Sequence, residues 1–356
     1  MCQFYGKVFV ATGCLVAALC SVSRASASTS HVVEPGASIQ AAVDAASPGD
    51  TVIVLPGTYR ESIRIQTDGL TLRGRGSVTI EAPRYGTGEC YLPGHVAAFC
   101  ILPVDFDPGS NSYTNRVHDV TITGFRISGF DDGVFGFGTL NMKVSHVLAV
   151  GNSDYGIASF DGIGTTFTRN AVSGSQDAGI YVGDSADAKA LVAHNRSWDN
   201  ALGVLVRHAR NAVVFDNDLW GNCVGVLLLA DEQPGGSGDN AVLNNTVRAN
   251  NRLCPGGEDF LPDFGGGGIV LAGSQQNTIV QNLVTDNQGT TQLSGGIVLM
   301  KTTVANADDA SIGNVVALNR ARRNEPADIV TDAASASNII IANRCGQSSP
   351  AGLCGF

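Results

Sequence analysis

The stretch GIASFDGIGTTFTRNAVSGSQDAG, residues 156–179, contains one full unit of a repeat that recurs about nine times between Thr139 and Asn343. Each unit combines a hydrophobic-x-x-Asn-x-hydrophobic segment with a polar turn and a Gly that precedes Ile or Val. The asparagines are Asn170, Asn195, Asn217, Asn245, Asn282, Asn319 and Asn343. The glycines are Gly156, Gly179, Gly203, Gly225, Gly268 and Gly296, with Gly133 opening the series.

A unit this short, made of β-branched runs broken by Gly, Asn and Asp, cannot bury an apolar face alone, but stacked coils of it can. We expect three short parallel strands per coil, each paired with its equivalents in the neighbouring coils. The asparagines should form an internal ladder and tolerate left-handed backbone, and the glycines should mark a second bend with positive φ. The sequence therefore predicts an all-β fold, a right-handed parallel β-helix. A leucine-rich repeat lacks support because the Leu-x-x-Leu-x-Leu spacing is missing.

The composition of the chain limits the kinds of partner that it can bind. The chain has 356 residues, a net charge of −10 and only 15% charged residues. The acidic balance and the lack of a basic stripe in the sequence argue against nucleic acid. No apolar segment after the N-terminal region is long enough to span a bilayer, and we expect a monomer.

Residues 1–27 have the pattern of a cleavable signal peptide. Lys7 precedes an apolar run from Val8 to Cys20, and small residues at Ala25 and Ala27 predict cleavage after about Ala27. The sequence thus predicts secretion. Six of the nine cysteines would remain, an even number suited to an oxidising compartment. Proximity in sequence suggests the pairs Cys90–Cys100, Cys223–Cys254 and Cys345–Cys354.

The mature chain divides into four regions. Residues 28–82 form a cap and the first coils, with a short amphipathic helix at 38–46 that covers the open end of the β-helix. Residues 83–116 form an insertion that holds one predicted disulfide, residues 117–345 form the repeats, and residues 346–356 form a tail.

The N-terminal segment SIQAAVDAASPGDTVIVLPGTYRESIRI, residues 38–65, resembles the cap of pectate-lyase-like right-handed β-helix proteins. This group includes polysaccharide lyases, C5-epimerases, pectinesterases and periplasmic copper-accessory proteins. The resemblance implies the same fold over about residues 31–345. The Asp-Pro-His-Asp motif of mannuronan epimerases and the motifs of pectinesterases and polygalacturonases are absent, so the resemblance assigns no catalytic residue.

The strand after each bend glycine predicts an apolar strip. Side chains alternate along a strand, so the first and third positions after glycine form the core and the second and fourth face outward. A surface this apolar is seldom left uncovered; residues 83–116, a ligand or a partner should lie on it. The predicted ligand-binding groove consists of Phe135, Phe137, Phe160, Leu205, Leu227, Leu229, Val298 and Met300.

Titratable side chains follow where these strands end: Asp161, Asp184, His208, Asp231 and Lys301. Stacked in neighbouring coils, they would form a column whose members perturb each other's pKa. β-Elimination or C5 epimerisation of a uronate needs such a set, because the substrate carboxylate must be neutralised before a base removes the C5 proton. In this scheme His208 or Lys301 is the base that removes the C5 proton. Arg207 neutralises the substrate carboxylate, and Tyr181 protonates the leaving oxygen. Asp161, Asp184 and Asp231 could bind Ca²⁺, or could merely form turns.

Three functions remain open. The first is a secreted enzyme that acts on an acidic polysaccharide as a lyase or C5-epimerase. The second is binding and cyclisation or isomerisation of an apolar, polyketide-like molecule in the groove. The third is a non-catalytic surface-binding module.

Overall fold

The chain winds into a stack of coils in which three parallel sheets run along its length. The computed structural model describes residues 28–84, 88–92, 95–231, 236–256, 262–302, 309–335 and 337–355. The predicted signal peptide, residues 1–27, lies outside the described residues. The predicted parallel β-helix is confirmed: every neighbouring pair of strands along each of the three sheets is parallel, as where Val192 pairs with Phe167 on one side and Val214 on the other.

Each sheet takes one strand from successive coils. The first sheet comprises Ser30–Val33, Thr51–Val54, Thr71–Gly74, Thr121–Thr123, Lys143–Ser145, Thr166–Thr168, Leu191–Ala193, Val213–Phe215, Ala241–Leu243, Thr278–Val280, Val315–Ala317 and Ile339–Ile341. The second comprises Gly57–Tyr59, Val78–Glu81, Arg126–Ser128, Leu148–Val150, Ala171–Ser173, Arg196–Trp198, Asp218–Trp220, Thr246–Arg248, Leu283–Thr285 and Arg320–Arg322.

The third sheet carries the strands that come after the bend glycines. It comprises Ile63–Ile65, His95–Ile101, Asp132–Phe137, Ile157–Phe160, Ala178–Ser185, Leu202–Ala209, Val224–Leu229, Gly267–Ala272, Gly295–Met300, Ile329–Thr331 and Ser348–Ser349. Shorter strands lie beside the coils: Tyr91–Leu92, Val117–His118, Thr139–Leu140, Leu253–Cys254 and Phe264–Gly265, with a 3-10 helix at Ala333–Ser335. Strand His95–Ile101 lies inside the predicted insertion 83–116, so that stretch holds one strand of the β-helix as well as loop residues.

The predicted capping helix spans Ile39–Asp44. The Ser38 side chain accepts a hydrogen bond from the backbone of Ala41, and the Glu61 carboxylate accepts bonds from the first backbone N–H groups of the helix, at 2.9 Å from Ile39 and 3.1 Å from Gln40. Ile39 and Val43 are buried against the first strands. These contacts satisfy the free N–H groups of a helix too short to be stable alone.

The seven repeat asparagines form the predicted internal ladder. The Asn217 carboxamide oxygen accepts bonds from the backbone N–H of Asn195, at 2.9 Å, and from its amide nitrogen, at 3.0 Å. The Asn195 amide also donates to the Phe167 carbonyl, at 2.9 Å. This pattern repeats from Asn170 to Asn343. Each buried amide thus satisfies backbone groups that the bend removes from the sheets.

Two expectations about the bends are wrong. Positive φ falls on the residue before each ladder asparagine, such as His194 at 59° and Asp216 at 51°, and not on the asparagine itself. The bend glycines of the repeat do not adopt positive φ either. Glycine is needed there because coils approach closely: a Cβ on Gly203 would lie 2.5 Å from the Gly225 carbonyl oxygen and 2.9 Å from the Asn222 amide.

That Asn222 amide belongs to a second ladder at the bend before the third sheet. Asn200, Asn222, Asn250, Asn287 and Asn324 bond in succession there and end at Asp328. A third, shorter ladder at the remaining bend joins Asn240, Asn277, Asn314 and Asn338. In the C-terminal half of the stack every bend is therefore lined by amides.

The three predicted disulfides are present: Cys90–Cys100, Cys223–Cys254 and Cys345–Cys354. The first and second hold loop segments against the outer face of the third sheet. The third closes the C-terminal tail, which supplies the last short strand of that sheet at Ser348–Ser349.

Replacing a ladder residue should destabilise the fold. Asn245→Ala leaves the Asn217 N–H and the Val214 carbonyl without partners. We expect a loss of about 2 to 4 kcal/mol in the free energy of unfolding, measured by denaturant titration. Asn115→Ala, at an exposed loop position, should change it by less than about 0.5 kcal/mol. Equal effects of the two substitutions would contradict the importance of the ladder.

Candidate active site

Five of the residues that the sequence singled out meet at one edge of the third sheet. His208 lies between two carboxylates: its Nδ1 is 3.1 Å from Asp184 Oδ1, and its Nε2 contacts the Asp231 carboxylate. Arg207 Nε donates to both Asp231 oxygens at 3.0 Å, and the Tyr181 hydroxyl donates to Asp184 Oδ2 at 3.4 Å. We call Tyr181, Asp184, Arg207, His208 and Asp231 the Arg207 network.

Three adjacent strands build this network. Ala178–Ser185, Leu202–Ala209 and Val224–Leu229 pair in a register that places Gly183 beside Arg207 and Arg207 beside Leu229. Gly183 makes room for its neighbour, because a Cβ there would lie 2.0 Å from the Tyr181 hydroxyl. The Tyr181 side chain therefore lies along its own strand and reaches Asp184.

The charges of the network compensate one another. Burial alone would lower the pKa of His208, but hydrogen bonds to Asp184 and Asp231 outweigh it and raise that pKa to about 9. Burial opposes ionisation of Asp231, yet His208 and Arg207 hold its pKa below the usual range. A buried histidine that stays protonated at neutral pH does not suit the predicted role of a base.

Two predicted members of the column have other partners: Asp161 follows Phe160, which pairs with Gly183, so it stacks beside Asp184 as predicted but does not join the Arg207 network. Asp161 is bound by the Tyr113 hydroxyl and by Arg116, whose Nη2 is 2.9 Å from Asp161 Oδ1. Lys301 lies two coils beyond Asp231, and its backbone N–H donates to Asp332. Asp184 and Asp231 lie on opposite sides of His208, and Asp161 is bound by Tyr113 and Arg116, so the described residues do not bring the three carboxylates together as a Ca²⁺ site.

The predicted apolar strip lies on the outer face of the third sheet, but much of it is covered. Phe106 packs on Phe137 with ring centroids 4.7 Å apart, so part of the segment 83–116 covers one end. Farther along, Phe264 and Leu293 join the strip in one buried cluster. Leu205, Leu227, Leu229 and Val298 are all buried, whereas Phe135, Phe137, Phe160 and Met300 are half-buried.

An open cleft remains at the aromatic end of the strip. Its volume is about 480 Å³, and Phe106, Pro108, Phe135, Phe137 and Phe160 are among its lining residues. Phe135 and Phe160 pack with ring centroids 5.1 Å apart, and Phe160 lies 4.4 Å from the Tyr181 ring. The aromatic cleft therefore borders the Arg207 network directly.

A second group of titratable residues occupies the opposite edge of the same sheet. His95 Nε2 contacts the carboxylate of Asp132, which is fully buried and also accepts a bond from the Tyr155 backbone at 3.1 Å. His95 Nδ1 lies 3.9 Å from Asp154 Oδ2. Burial, followed by the charges of Asp177 and Asp154, raises the pKa of the nearby Tyr155 hydroxyl. We call His95, Asp132, Asp154, Tyr155 and Asp177 the Asp154 cluster.

The carboxyl groups of the Asp154 cluster resist ionisation. Burial, followed by repulsion from Asp132 and Asp177, raises the pKa of Asp154 to about 7. Burial also raises the pKa of Asp177, although the Tyr155 hydroxyl partly offsets it. The hydrogen bond to Asp132 raises the pKa of His95. Unlike the Arg207 network, this cluster contains a half-exposed carboxyl that changes protonation near neutral pH, as acid–base catalysis requires.

The sequence interpretation missed this cluster. It gave Asp132, Asp154, Tyr155 and Asp177 no role. A signal was available, because three consecutive coils read DDG, DYG and DAG up to the bend glycine, which aligns Asp131, Asp154 and Asp177. His95 had no such signal, since it comes from an irregular segment 37 residues before Asp132.

The two groups form one continuous surface. The Tyr155 ring lies 4.9 Å from the Tyr181 ring and 5.6 Å from Phe160. The site therefore has an acidic edge, an aromatic floor and a second edge with Arg207. His95, Asp132 and Asp154 are also the one compact set of possible metal ligands among the described residues, with their ligand atoms within 4.8 Å of one another.

Comparison with known proteins agrees with the fold. The sequence model of the family described as "Right handed beta helix region" matches residues 132–312, about half of the chain. The chain belongs to this right-handed β-helix family, and the predicted handedness is confirmed. No curated protein matches the sequence. In the described residues no helix is long and apolar enough to cross a membrane.

Several solved structures share the fold. The A-module of a mannuronan C-5 epimerase from Azotobacter vinelandii superposes with a TM-score of 0.61 at 17% identity, covering 86% of this chain and 89% of that chain. A periplasmic alginate epimerase superposes with a TM-score of 0.53 at 15% identity, covering 88% of this chain and 82% of that chain. A DFA-IIIase from Arthrobacter chlorophenolicus A6 superposes with a TM-score of 0.58 at 15% identity, covering 84% of this chain and 85% of that chain. At these identities the likeness establishes architecture alone.

The protonation of His208 should appear in the pH dependence of stability. Its folded pKa of about 9 exceeds the ordinary 6.5, so its contribution is fully present below pH 6.5 and is lost as pH rises through 9. We expect His208→Gln to cost roughly 3 to 5 kcal/mol at pH 6, because it breaks a buried ion pair.

The difference from wild type should shrink in alkaline solution, as followed by denaturant unfolding at several pH values. His118→Gln, which alters a half-exposed histidine, is the matched control and should have a small effect throughout. A pH-independent difference for His208→Gln would contradict the assignment of a buried charged histidine.

Proposed function

We propose that this protein is a secreted enzyme that acts on an acidic polysaccharide by removing the C5 proton of a uronate ring. The supporting observation is the half-exposed Asp154 carboxyl, whose pKa of about 7 keeps it partly protonated at neutral pH. The adjacent Tyr155 packs on Phe160, which lines the aromatic cleft. The three disulfides suit an oxidising, extracytoplasmic compartment. Loss of the proton leads to elimination in a lyase or to inversion in an epimerase.

The chemistry requires that the substrate carboxylate be neutralised. The C5 proton is adjacent to this carboxylate, and negative charge builds up there as the proton leaves. A neutral carboxyl such as that of Asp154 donates its O–H to the substrate carboxylate, as other buried carboxylic acids do toward developing anions. An ionised aspartate would instead repel the substrate.

The proton-transfer roles fall on the neighbours of Asp154. Asp177, with its raised pKa, is a stronger base than an ordinary carboxylate, and it withdraws the C5 proton through the Tyr155 hydroxyl. His95, kept protonated by Asp132, supplies a proton to the leaving oxygen or to the opposite face of C5. Asp132 itself is buried and orients His95.

This assignment revises the roles predicted from sequence. Tyr181 is buried and donates to Asp184, so the half-buried Tyr155 replaces it in proton transfer. Arg207 keeps a role in binding substrate, because its side chain is 30% exposed while it holds Asp231. His208 and Lys301 lose the role of base. The aromatic cleft would hold sugar rings by stacking against Phe135, Phe137 and Phe160.

The comparisons support a carbohydrate substrate without specifying the reaction. Two of the solved structures with this fold are named as epimerases of mannuronan or alginate, and a third as a DFA-IIIase. None shares enough sequence to transfer a residue role. The proposal therefore depends on the Asp154 cluster.

The aromatic cleft favours a second candidate function, binding and cyclisation or isomerisation of an apolar polyketide-like molecule. Four phenylalanines line this cleft. In that case an apolar fluorescent dye should bind there, Phe160→Asp should abolish the binding, and polyuronates should fail to compete. Competition by polyuronates would favour the first function.

Removal of the C5 proton can be measured whether elimination or inversion follows it. Polymannuronate, polyguluronate and polygalacturonate are incubated with the protein in D₂O, and loss of the C5 proton signal is followed by NMR. A lyase also produces an unsaturated uronate with ultraviolet absorbance. We expect exchange on at least one polymer, and Asp177→Asn should reduce its rate by about 10² or more. Absence of exchange on all three would overturn the proposal and leave a non-catalytic module or the apolar ligand.

The pH profile tests Asp154 separately. Because this group must be protonated, the exchange rate should fall as pH rises above about 7. Asp154→Asn keeps a neutral donor at the same place, so it should retain activity within about tenfold and lose the alkaline decline. Asp154→Ala, which has no donor, should lose about 10² in rate. An unchanged alkaline limb in Asp154→Asn would contradict this role.

A further inference from the structure

The outer face of the second sheet carries a set of arginines that the coil register brings into line. Along one outward row, Arg126 is followed by Leu148, Ala171, Arg196, Asp218, Thr246, Leu283, Arg320 and Arg344. The other row contains Trp198, Trp220, Arg248, Thr285 and Arg322 in consecutive coils. We call these two rows the arginine face.

The arginine face is basic on a protein whose net charge is −10. Six arginines stand against two carboxylates, those of Glu81 and Asp218, on its outward rows. Asp218 is paired with Arg248 at 3.2 Å, and Glu81 with Arg60 at 2.8 Å. Within the described part of the chain, the other five arginines form no ion pair, and all five are exposed.

Like charges in adjacent coils indicate an external anion. Arg320 and Arg344 occupy neighbouring positions of one row, about 4.8 Å apart at the spacing of β-strands. Like charges at neighbouring positions repel each other, and an anion bound between the two guanidinium groups would offset that repulsion. The two rows extend over eight coil spacings, so the face is roughly 40 Å long.

Two tryptophans add an aromatic surface to this face. The Trp198 and Trp220 rings stack with centroids 5.2 Å apart and planes 3° from parallel, and the Arg248 guanidinium lies 4.9 Å from the Trp220 centroid. Both tryptophans are half-buried, so the edges of the stack reach the surface. Guanidinium groups beside aromatic edges offer contacts to carboxylates and to the apolar faces of sugar rings together.

We propose that the arginine face is a second binding site, separate from the active site, for an extended anionic polysaccharide. The spacing of the arginines favours this ligand over nucleic acid. Duplex DNA carries one charge per ~1.7 Å. The five arginines without an ion pair among the described residues occupy four coils that are one to four coil spacings apart, which suits a chain with one carboxylate per sugar ring. The net negative charge of the protein also opposes a polyanion as dense as DNA.

This inference goes beyond the proposed function, because it depends on the second sheet and not on the Asp154 cluster. It also corrects an expectation drawn from the sequence, that the chain has no basic stripe. The six arginines are scattered between positions 126 and 344, and only the register of the coils aligns them. With both faces occupied, a polymer would stay on the enzyme between reactions at the active site.

The test compares two triple variants of the full secreted chain. In the first, Arg196→Ala, Arg320→Ala and Arg322→Ala remove three charges from the arginine face. In the second, Arg73→Ala, Arg75→Ala and Lys143→Ala remove three exposed charges at the first sheet, so the net charge is identical. Binding to polygalacturonate and alginate is measured by calorimetry over a series of salt concentrations, with neutral dextran and duplex DNA as further ligands.

We expect the first variant to lose at least tenfold in polyuronate affinity and to show a shallower salt dependence. The second variant should stay within about twofold of wild type, and Trp220→Ala should weaken binding a few-fold. Equal losses in the two triple variants, or tighter binding of DNA than of polyuronate at the same salt, would overturn the proposal. Short oligouronates that reach the third sheet only should exchange C5 protons equally in all variants, which separates this result from the proposed reaction.

Discussion

The hydrogen bond from one asparagine to the carboxamide of the next coil is the constraint on which the rest of this molecule depends. It joins residues 22 to 37 positions apart in sequence and sets the register between coils. Because side chains alternate along a strand, a shift of one residue would exchange the buried and exposed faces. The Asp154 cluster draws its residues from four coils, so its geometry exists only while that register holds.

Features that repeat along the chain could be predicted from the sequence. The ladder asparagines, the three-strand coil, the capping helix at Ile39–Asp44 and the three cysteine pairs all come from spacing that can be counted. Other features depend on tertiary contacts that spacing does not encode. Position 203 requires glycine because a carbonyl of the next coil approaches it. Leu227 is covered by segments that do not belong to the repeat. His95 contacts Asp132 from an irregular stretch of the chain.

The two edges of the third sheet show how the same residue types reach different outcomes. Around His208, each carboxylate has a cationic partner, and the charges stabilise the coil ends. Around Asp154, two carboxyl groups share one histidine, and Asp177 has no cationic side chain in ion-pair contact among the described residues. Burial therefore raises the pKa values of Asp154 and Asp177. Groups left in this state reduce stability, and proteins retain them where chemistry requires them. The column predicted from the sequence is thus held in ion pairs, whereas the carboxyl groups with raised pKa values, Asp154 and Asp177, lie before the bend glycines.

Coil length varies without disturbing the ladder. Asn195 and Asn217 are 22 residues apart and Asn245 and Asn282 are 37 apart, yet both pairs bond at 3.0 Å. The extra residues leave the stack as loops, and one of them brings Phe264 over the strip. Evolution can therefore lengthen, shorten or replace these loops while the third sheet beneath them stays intact. The surfaces that the loops form should therefore diverge faster among relatives of this protein than the side chains on its third sheet do.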